Sequence, residues 1–168
     1  DSLHSYSYSV RAMIGEHSRQ VSESASIQPV VELMDDRDPR VQYGPAFHNW
    51  EDADLFAGTE KYADLTVDSY SDNDATARIS FNGRGIEIYG LKSSELGLAE
   101  VQIDGKKVGD LDFHTSGETE KSALIGRFTG LPDGEHLLTL TVKKEHLNRG
   151  NERSKISIDY FKIYPGQG

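Results

Sequence analysis

Carboxylates crowd one stretch of this chain. Residues 35–74 hold eleven acids, with Asp35, Asp36 and Asp38 in a single short run, against three basic residues, Arg37, Arg40 and Lys61. Hard oxygen donors converging on one loop suit calcium, which takes six to eight of them at about 2.3 to 2.6 Å and accepts backbone carbonyls as well. The Asp36-x-Asp38 spacing is not an EF-hand loop, because the glycine and closing glutamate of that loop are missing. The same run of charge also suits a solvated acidic face.

Sugar binding is a second chemistry within reach. It needs an aromatic surface for the apolar face of a ring and a few planar polar groups for the hydroxyls. Tyr43, Phe47, His48, Asn49 and the chain's one tryptophan, Trp50, fall within one segment. Two uses stand open for Trp50: stacking on a ligand, or plugging one end of the fold. The stretch from Lys144 to Arg153 is longer than a tight turn requires and gathers His146, Asn148, Arg149 and Asn151. Their donors and acceptors suit hydroxyls and carboxylates, or simply an exposed polar loop.

Catalysis finds less footing. The six histidines form no His-x-x-x-His pair, cysteine is absent, and no Gly-x-Ser-x-Gly elbow occurs. With 28 acids, coincidental carboxylate pairs are inevitable, so pairing alone points to no glycosidase. Gly83-Arg84-Gly85 is too short for a phosphate-cradling loop. A formal net charge of −10 is the wrong sign for gripping nucleic acid. No apolar run approaches the length of a membrane span. The chain opens on Asp1 with no basic and apolar leader, as a mature or excised piece would.

The elements that must position these residues read as strands. Apolar and polar residues alternate throughout 168 residues, and a helical period never persists. The alternation predicts strands over 77–81, 86–91, 99–103, 111–114, 124–128, 137–142 and 156–164. Turn chemistry separates them at Asn82-Gly83 with Gly85, at Asp104-Gly105 and at Pro132-Asp133-Gly134. Short connections make neighbours antiparallel, and amphipathic sheets need a second apolar face to cover, so the fold class is all-β: an antiparallel β-sandwich or jelly roll. Residues 1–30 have a different texture. Ser5 to Arg11 alternates strictly, Gly15 turns, and Val21 to Val30 returns, giving a hairpin tail ahead of a module over 31–168.

Four ordered stretches carry a family resemblance. They are Asp35-Asp36 before Val41-Gln42-Tyr43-Gly44 and Trp50; Gly58-Thr59 leading to Ala77-Arg78-Ile79-Ser80-Phe81-Asn82-Gly83-Arg84-Gly85-Ile86; Val101-Gln102-Ile103-Asp104-Gly105; and Gly130-Leu131-Pro132-Asp133-Gly134-Glu135-His136 with the closing Ile158-Asp159-Tyr160-Phe161. This set resembles the galactose-binding-like β-sandwich modules, many of them carbohydrate-binding modules, attached to secreted bacterial glycoside hydrolases and surface proteins. The tail resembles the last two strands of a fibronectin type III domain. The first resemblance implies a secreted or cell-surface location, neighbouring domains in a larger chain, a glycan partner and a structural calcium ion. Candidate ion ligands are Asp35, Asp36, Asp38 and Asp159, because the first and last strands of such a sandwich can lie side by side.

Strands that alternate up and down send the connections at 69–74, 92–97, 114–120 and 144–154 to one end. That groups Tyr70, Asn73, His114, Asn148, Arg149 and Asn151 as a carbohydrate site, with Tyr70 stacking and Arg149 selecting an acidic or vicinal-hydroxyl group. Trp50 and His48, at the other end, become the preferred site if Trp50 is exposed. The expected function is a non-catalytic carbohydrate-binding module of a larger glycan-active protein. Its rival is a structural spacer or adhesin module without a ligand of its own, since one sandwich hosts both.

Overall fold

The computed structural model describes residues 10–14, 17–21, 30–65, 71, 73–146 and 152–166. β1 (Val10–Ile14) and β2 (His17–Val21) pair as an antiparallel hairpin. Its strands fall on different residues from those predicted, and residues 1–9 and 22–29 lie outside the described residues. The other strands in chain order are β3 (Glu32–Asp35), β4 (Val41–Tyr43), β5 (Phe47–Glu51), β6 (Thr59–Asp64), β7 (Thr76–Lys92), β8 (Leu98–Ile103), β9 (Lys106–Asp112), β10 (Glu120–Val142), β11 (Glu145–His146), β12 (Glu152–Arg153), β13 (Lys155–Ile158) and β14 (Tyr160–Tyr164). A single 3-10 turn, Phe56–Gly58, is the one helical element among the described residues.

The strands make two facing layers. Seven form one sheet in the order β3-β14-β7-β10-β8-β9, with β4 also paired to β7. Three form the other, β13-β6-β5. β11 and β12 pair separately. Every paired strand is antiparallel to its neighbour, as the short connections require. Ile79, Ile86, Ile88, Val101, Leu138, Leu140, Ile156, Ile158 and Phe161 join one continuous buried core. β13 approaches β7 so closely that a Cβ on Gly90 would sit 2.1 Å from the Ser157 carbonyl oxygen.

Two expected turns prove to be irregularities within long strands. Thr129 faces Gly85 and Gly134 faces Gly83, so residues 130–133 bulge out opposite Arg84 alone. The ladder resumes beyond them because both partners carry their glycines at the same level. The buried positions of β7 accordingly switch from Ala77, Ile79 and Phe81 to Ile86 and Ile88. The Asp104-Gly105 turn is as predicted. Positive φ values of 51° and 76° let Ile103 pair with Lys106 in a two-residue hairpin. The predicted single strand over 156–164 is broken at Asp159, where the chain passes from the three-stranded to the seven-stranded sheet. β3 and β14 do lie side by side, Asp35 opposite Tyr160.

Candidate binding sites

Trp50 does not plug the sandwich. Phe47, with its ring centroid 5.0 Å from that of Tyr43, takes the core position of β5. The period-two alternation then turns His48 and Trp50 to the outer face. Trp50 is 55% exposed there. His48 lies opposite Tyr62, ring centroids 5.5 Å apart, and Trp50 lies opposite Glu60. The pair therefore occupies a sheet face and not the end of the sandwich predicted for it. Lys61 donates to Asn49 Oδ1 and stands 5.2 Å from the centroid of the Tyr43 ring. Indole, imidazole and phenol surfaces side by side can cover the apolar face of a sugar.

The second arrangement is the loop end. Backbone hydrogen bonds tie the roots of the four grouped connections together: Leu65 to Ser154, Val142 to Ala75, Lys143 to Leu98, Gly97 to Lys155 and Thr115 to Ser93, at 2.9 to 3.1 Å. His114 pairs with Ser93 in an isolated bridge, and its backbone N–H donates to Asp112 Oδ1 at 2.8 Å. Asn73 lines a cavity of about 440 Å³ with Glu100, Gln102, Thr141 and Lys143, and His114 does not line it. Tyr70, Asn148, Arg149 and Asn151 lie outside the described residues. Of the six grouped residues, Asn73 and His114 are thus placed, and among the described residues no hydrogen bond or shared cavity joins these two.

The third holds two buried carboxylates, Asp36 and Asp159, on backbones that meet. Asp36 N donates to the Asp159 carbonyl at 3.1 Å, which brings the start of the module onto its closing strands. Asp36 Oδ1 accepts the Thr59 hydroxyl at 2.7 Å, whereas Oδ2 is buried with no partner. Burial, reinforced by the Asp35 charge, pushes the Asp36 carboxyl up to about 6. Asp159 is also raised, first by burial and then by Asp35, although its oxygens accept Phe56 N at 3.0 Å and the Ser122 hydroxyl. Ala57, next to Phe56, and Ser122 itself are non-glycine residues held at φ 50°. Asp35 and Asp38 are turned instead to Arg37 and Arg40, at 3.0 and 2.8 Å. Burial opposes it, but the Arg37 hydrogen bonds hold Asp35 below the usual carboxylate range, and Arg40 does the same for Asp38. Among the described residues no three His, Asp or Glu side chains are grouped to hold a metal.

Sequence reasoning missed Tyr62, which completes the aromatic face. The alternation of Glu60, Lys61, Tyr62 and Ala63 carried the signal, but the density of acids around it obscured a strand. It also missed His136, whose Nδ1 meets Asp104 Oδ2 at 2.7 Å and whose Nε2 meets the Pro132 carbonyl at 2.8 Å.

No protein-family model matches the chain. It is 24% identical over 145 residues to an A type blood alpha-D-galactosamine galactosaminidase of Flavonifractor plautii, covering 86% of this chain and 12% of that protein. It is 26% identical over 112 residues to an A type blood N-acetyl-alpha-D-galactosamine deacetylase of the same organism, covering 67% of this chain and 13% of that protein. The chain therefore spans about an eighth of the length of these curated relatives. In structure it is similar to part of a Paenibacillus xanthan lyase, with a TM-score of 0.58 and 16% identity over 84% of this chain and 14% of the lyase. It is also similar to part of a two-domain esterase active on acetylated mannans, with a TM-score of 0.56 and 15% identity over 87% of this chain and 42% of the esterase. The fold is thus an antiparallel β-sandwich that recurs within larger glycan-active proteins.

Proposed function

We propose that the chain is a non-catalytic carbohydrate-binding module of galactose-binding-like type, part of a larger secreted or cell-surface glycan-active protein. The observation that carries this reading is Trp50, exposed on a sheet face beside His48 and Tyr62. Large aromatic side chains left open in this way recur where proteins meet ligands. A module of this kind raises the local concentration of substrate around a tethered catalytic domain. The two glycan-active relatives, of which this chain matches a small part, support that context.

The loop end, with Asn73 and His114 and with Tyr70, Asn148, Arg149 and Asn151, is the alternative location for the ligand. A glycan-array screen of the 168-residue chain tests the reading. Binding to at least one glycan, lost in a folded Trp50→Ala variant, is the expected result. Binding that survives Trp50→Ala but disappears in Arg149→Ala or Tyr70→Ala moves the site to the loop end. Binding to no glycan favours the structural spacer.

A structural calcium ion belongs to the same proposal. The buried, unpartnered Oδ2 of Asp36 is the atom that fits a cation, and the Asp36 backbone N–H is tied to the Asp159 carbonyl, itself a hard oxygen. The ion would neutralise charge that burial otherwise makes costly, and so would stabilise the junction between the sheets. Asp35, whose charge already raises Asp36, is held by Arg37, and Asp38 is held by Arg40, so neither is the first ligand of the ion in this reading. Calcium added to chelator-treated protein should raise the melting temperature, and an unchanged value would remove the ion from the reading.

A further inference from the structure

The first half of β7 presents Arg78, Ser80, Asn82 and Arg84 on the outer face of the seven-stranded sheet, alternating with the buried Ala77, Ile79 and Phe81. All four outward residues are exposed. Arg37, Arg40 and Arg127 are committed to carboxylates. Arg78 and Arg84 have no such partner among the described residues. Two unpaired guanidinium groups on one strand face stand out in a chain of formal charge −10.

Between them the face is built like a ligand surface. Ser80 lies opposite Leu137 and Asn82 opposite Glu135. Leu137 is 41% exposed, an apolar side chain among polar ones. A cavity of about 500 Å³ opens here, lined by Arg40, Ser80, Asn82, Asp104, Glu135 and Leu137. Asp104 is already matched by His136 at 2.7 Å, so the acid left without a partner on this lining is Glu135.

We propose that this face is a second glycan subsite, selective for an extended polysaccharide that carries separated carboxylates. Arg78 and Arg84 hold acid groups, Ser80, Asn82 and Glu135 meet hydroxyls, and Leu137 lies under a ring. Six residues of extended strand separate the two arginines by about 20 Å. A ligand engaging both must therefore extend over that length and present a carboxylate at each end of it. Glu135 disfavours polymers charged more densely than one acid per sugar unit, while beyond about 8 Å physiological salt screens the rest of the molecule from this strip. A planar carboxylate pairs with a guanidinium through two parallel hydrogen bonds, which accounts for arginine rather than lysine here.

This inference rests on the reading of the chain as a glycan binder but not on Trp50. Affinity electrophoresis of the whole chain in gels containing polygalacturonate, its methyl ester or dextran sulfate separates the cases. Polygalacturonate should retard the protein, and its methyl ester should not. The Arg78→Ala/Arg84→Ala variant should bind the free acid about tenfold more weakly, with the lysine double variant between it and wild type. Trp50→Ala should bind the acid as wild type does. Equal retardation by acid and ester, stronger retention by dextran sulfate, an unaffected double alanine variant or no retardation at all would each overturn the subsite. A neutral glycan bound through Trp50 without any acid binding sinks this subsite and leaves the proposed function standing. Arginine-dependent acid binding without any Trp50-dependent ligand does the reverse for the Trp50 face.

Discussion

Glu87 on β7 and Asp36 in the turn after β3 are each only 1% exposed, yet they meet opposite surroundings. Glu87 accepts the Tyr89 hydroxyl at 2.7 Å, the Tyr164 hydroxyl at 2.9 Å and Arg127 Nε at 2.5 Å, with Lys162 Nζ at 3.9 Å. Burial drives its carboxyl upward, but these donors outweigh burial and hold it below the usual range. Tyr89 also stacks on Tyr160, ring centroids 4.4 Å apart, so this aromatic face is closed on itself. Asp36 has the Thr59 hydroxyl on one oxygen and nothing on the other. A satisfied buried carboxylate is structure, whereas an unsatisfied one waits for a proton or a cation. The aromatic faces divide in the same way, the tyrosine hydroxyls around Glu87 being partnered while Trp50 stands open.

The largest effect should come from breaking the satisfied network. Glu87→Ala strands two tyrosyl hydroxyls and frees Arg127, and should cost about 3 kcal/mol of stability in urea unfolding. A loss below about 1 kcal/mol would show that the ring packing alone holds this face.

Asp36 should matter through pH. Its folded carboxyl binds protons that the unfolded chain has already released between the ordinary value of 3.8 and about 6. Its contribution to stability therefore falls as pH rises through that window. The difference in melting temperature between wild type and Asp36→Asn, followed from pH 4 to pH 7, isolates this slope. A flat difference would mean that Oδ2 finds a partner. Added calcium should recover stability only toward the upper end of the window, where Asp36 is ionised.

His136 should show a raised titration in the folded protein. Burial lowers it, but Asp104 and the Pro132 carbonyl together outweigh burial, since both ring nitrogens face acceptors. Its contribution is complete below the unfolded value of 6.5 and is lost as pH rises through the higher folded value. An NMR titration midpoint at or below 6.5 would contradict the arrangement.

The smallest change in stability is expected at the open aromatic face. Trp50→Ala should alter unfolding by within about 0.5 kcal/mol, as surface substitutions do. Glycan binding should weaken by about 1 to 3 kcal/mol if the indole is desolvated by its ligand. A large loss of stability instead would make Trp50 a structural residue after all.

The sequence by itself determined the class of the fold, because period-two alternation and the Asp104-Gly105 turn act over neighbouring residues. The resemblance also allowed the module's first strand to lie beside its last, as β3 and β14 do. Local signals could not show that residues 130–133 would bulge out opposite Arg84 within one long strand instead of ending it, since the ladder on either side of them exists only with β7 as partner. Nor could they say which face of β5 is outermost. Trp50 and Phe47 are both large and apolar, and which of them is buried depended on the register between β5 and β6 and on Tyr43 filling the space against Phe47. The fate of the acids was likewise a tertiary matter. Arginines two residues away claimed Asp35 and Asp38, while Asp36 was carried under Thr59 by the meeting of chain segments far apart in sequence. Charge and alternation are written along the chain, but exposure and partnership are properties of which strands come to lie together.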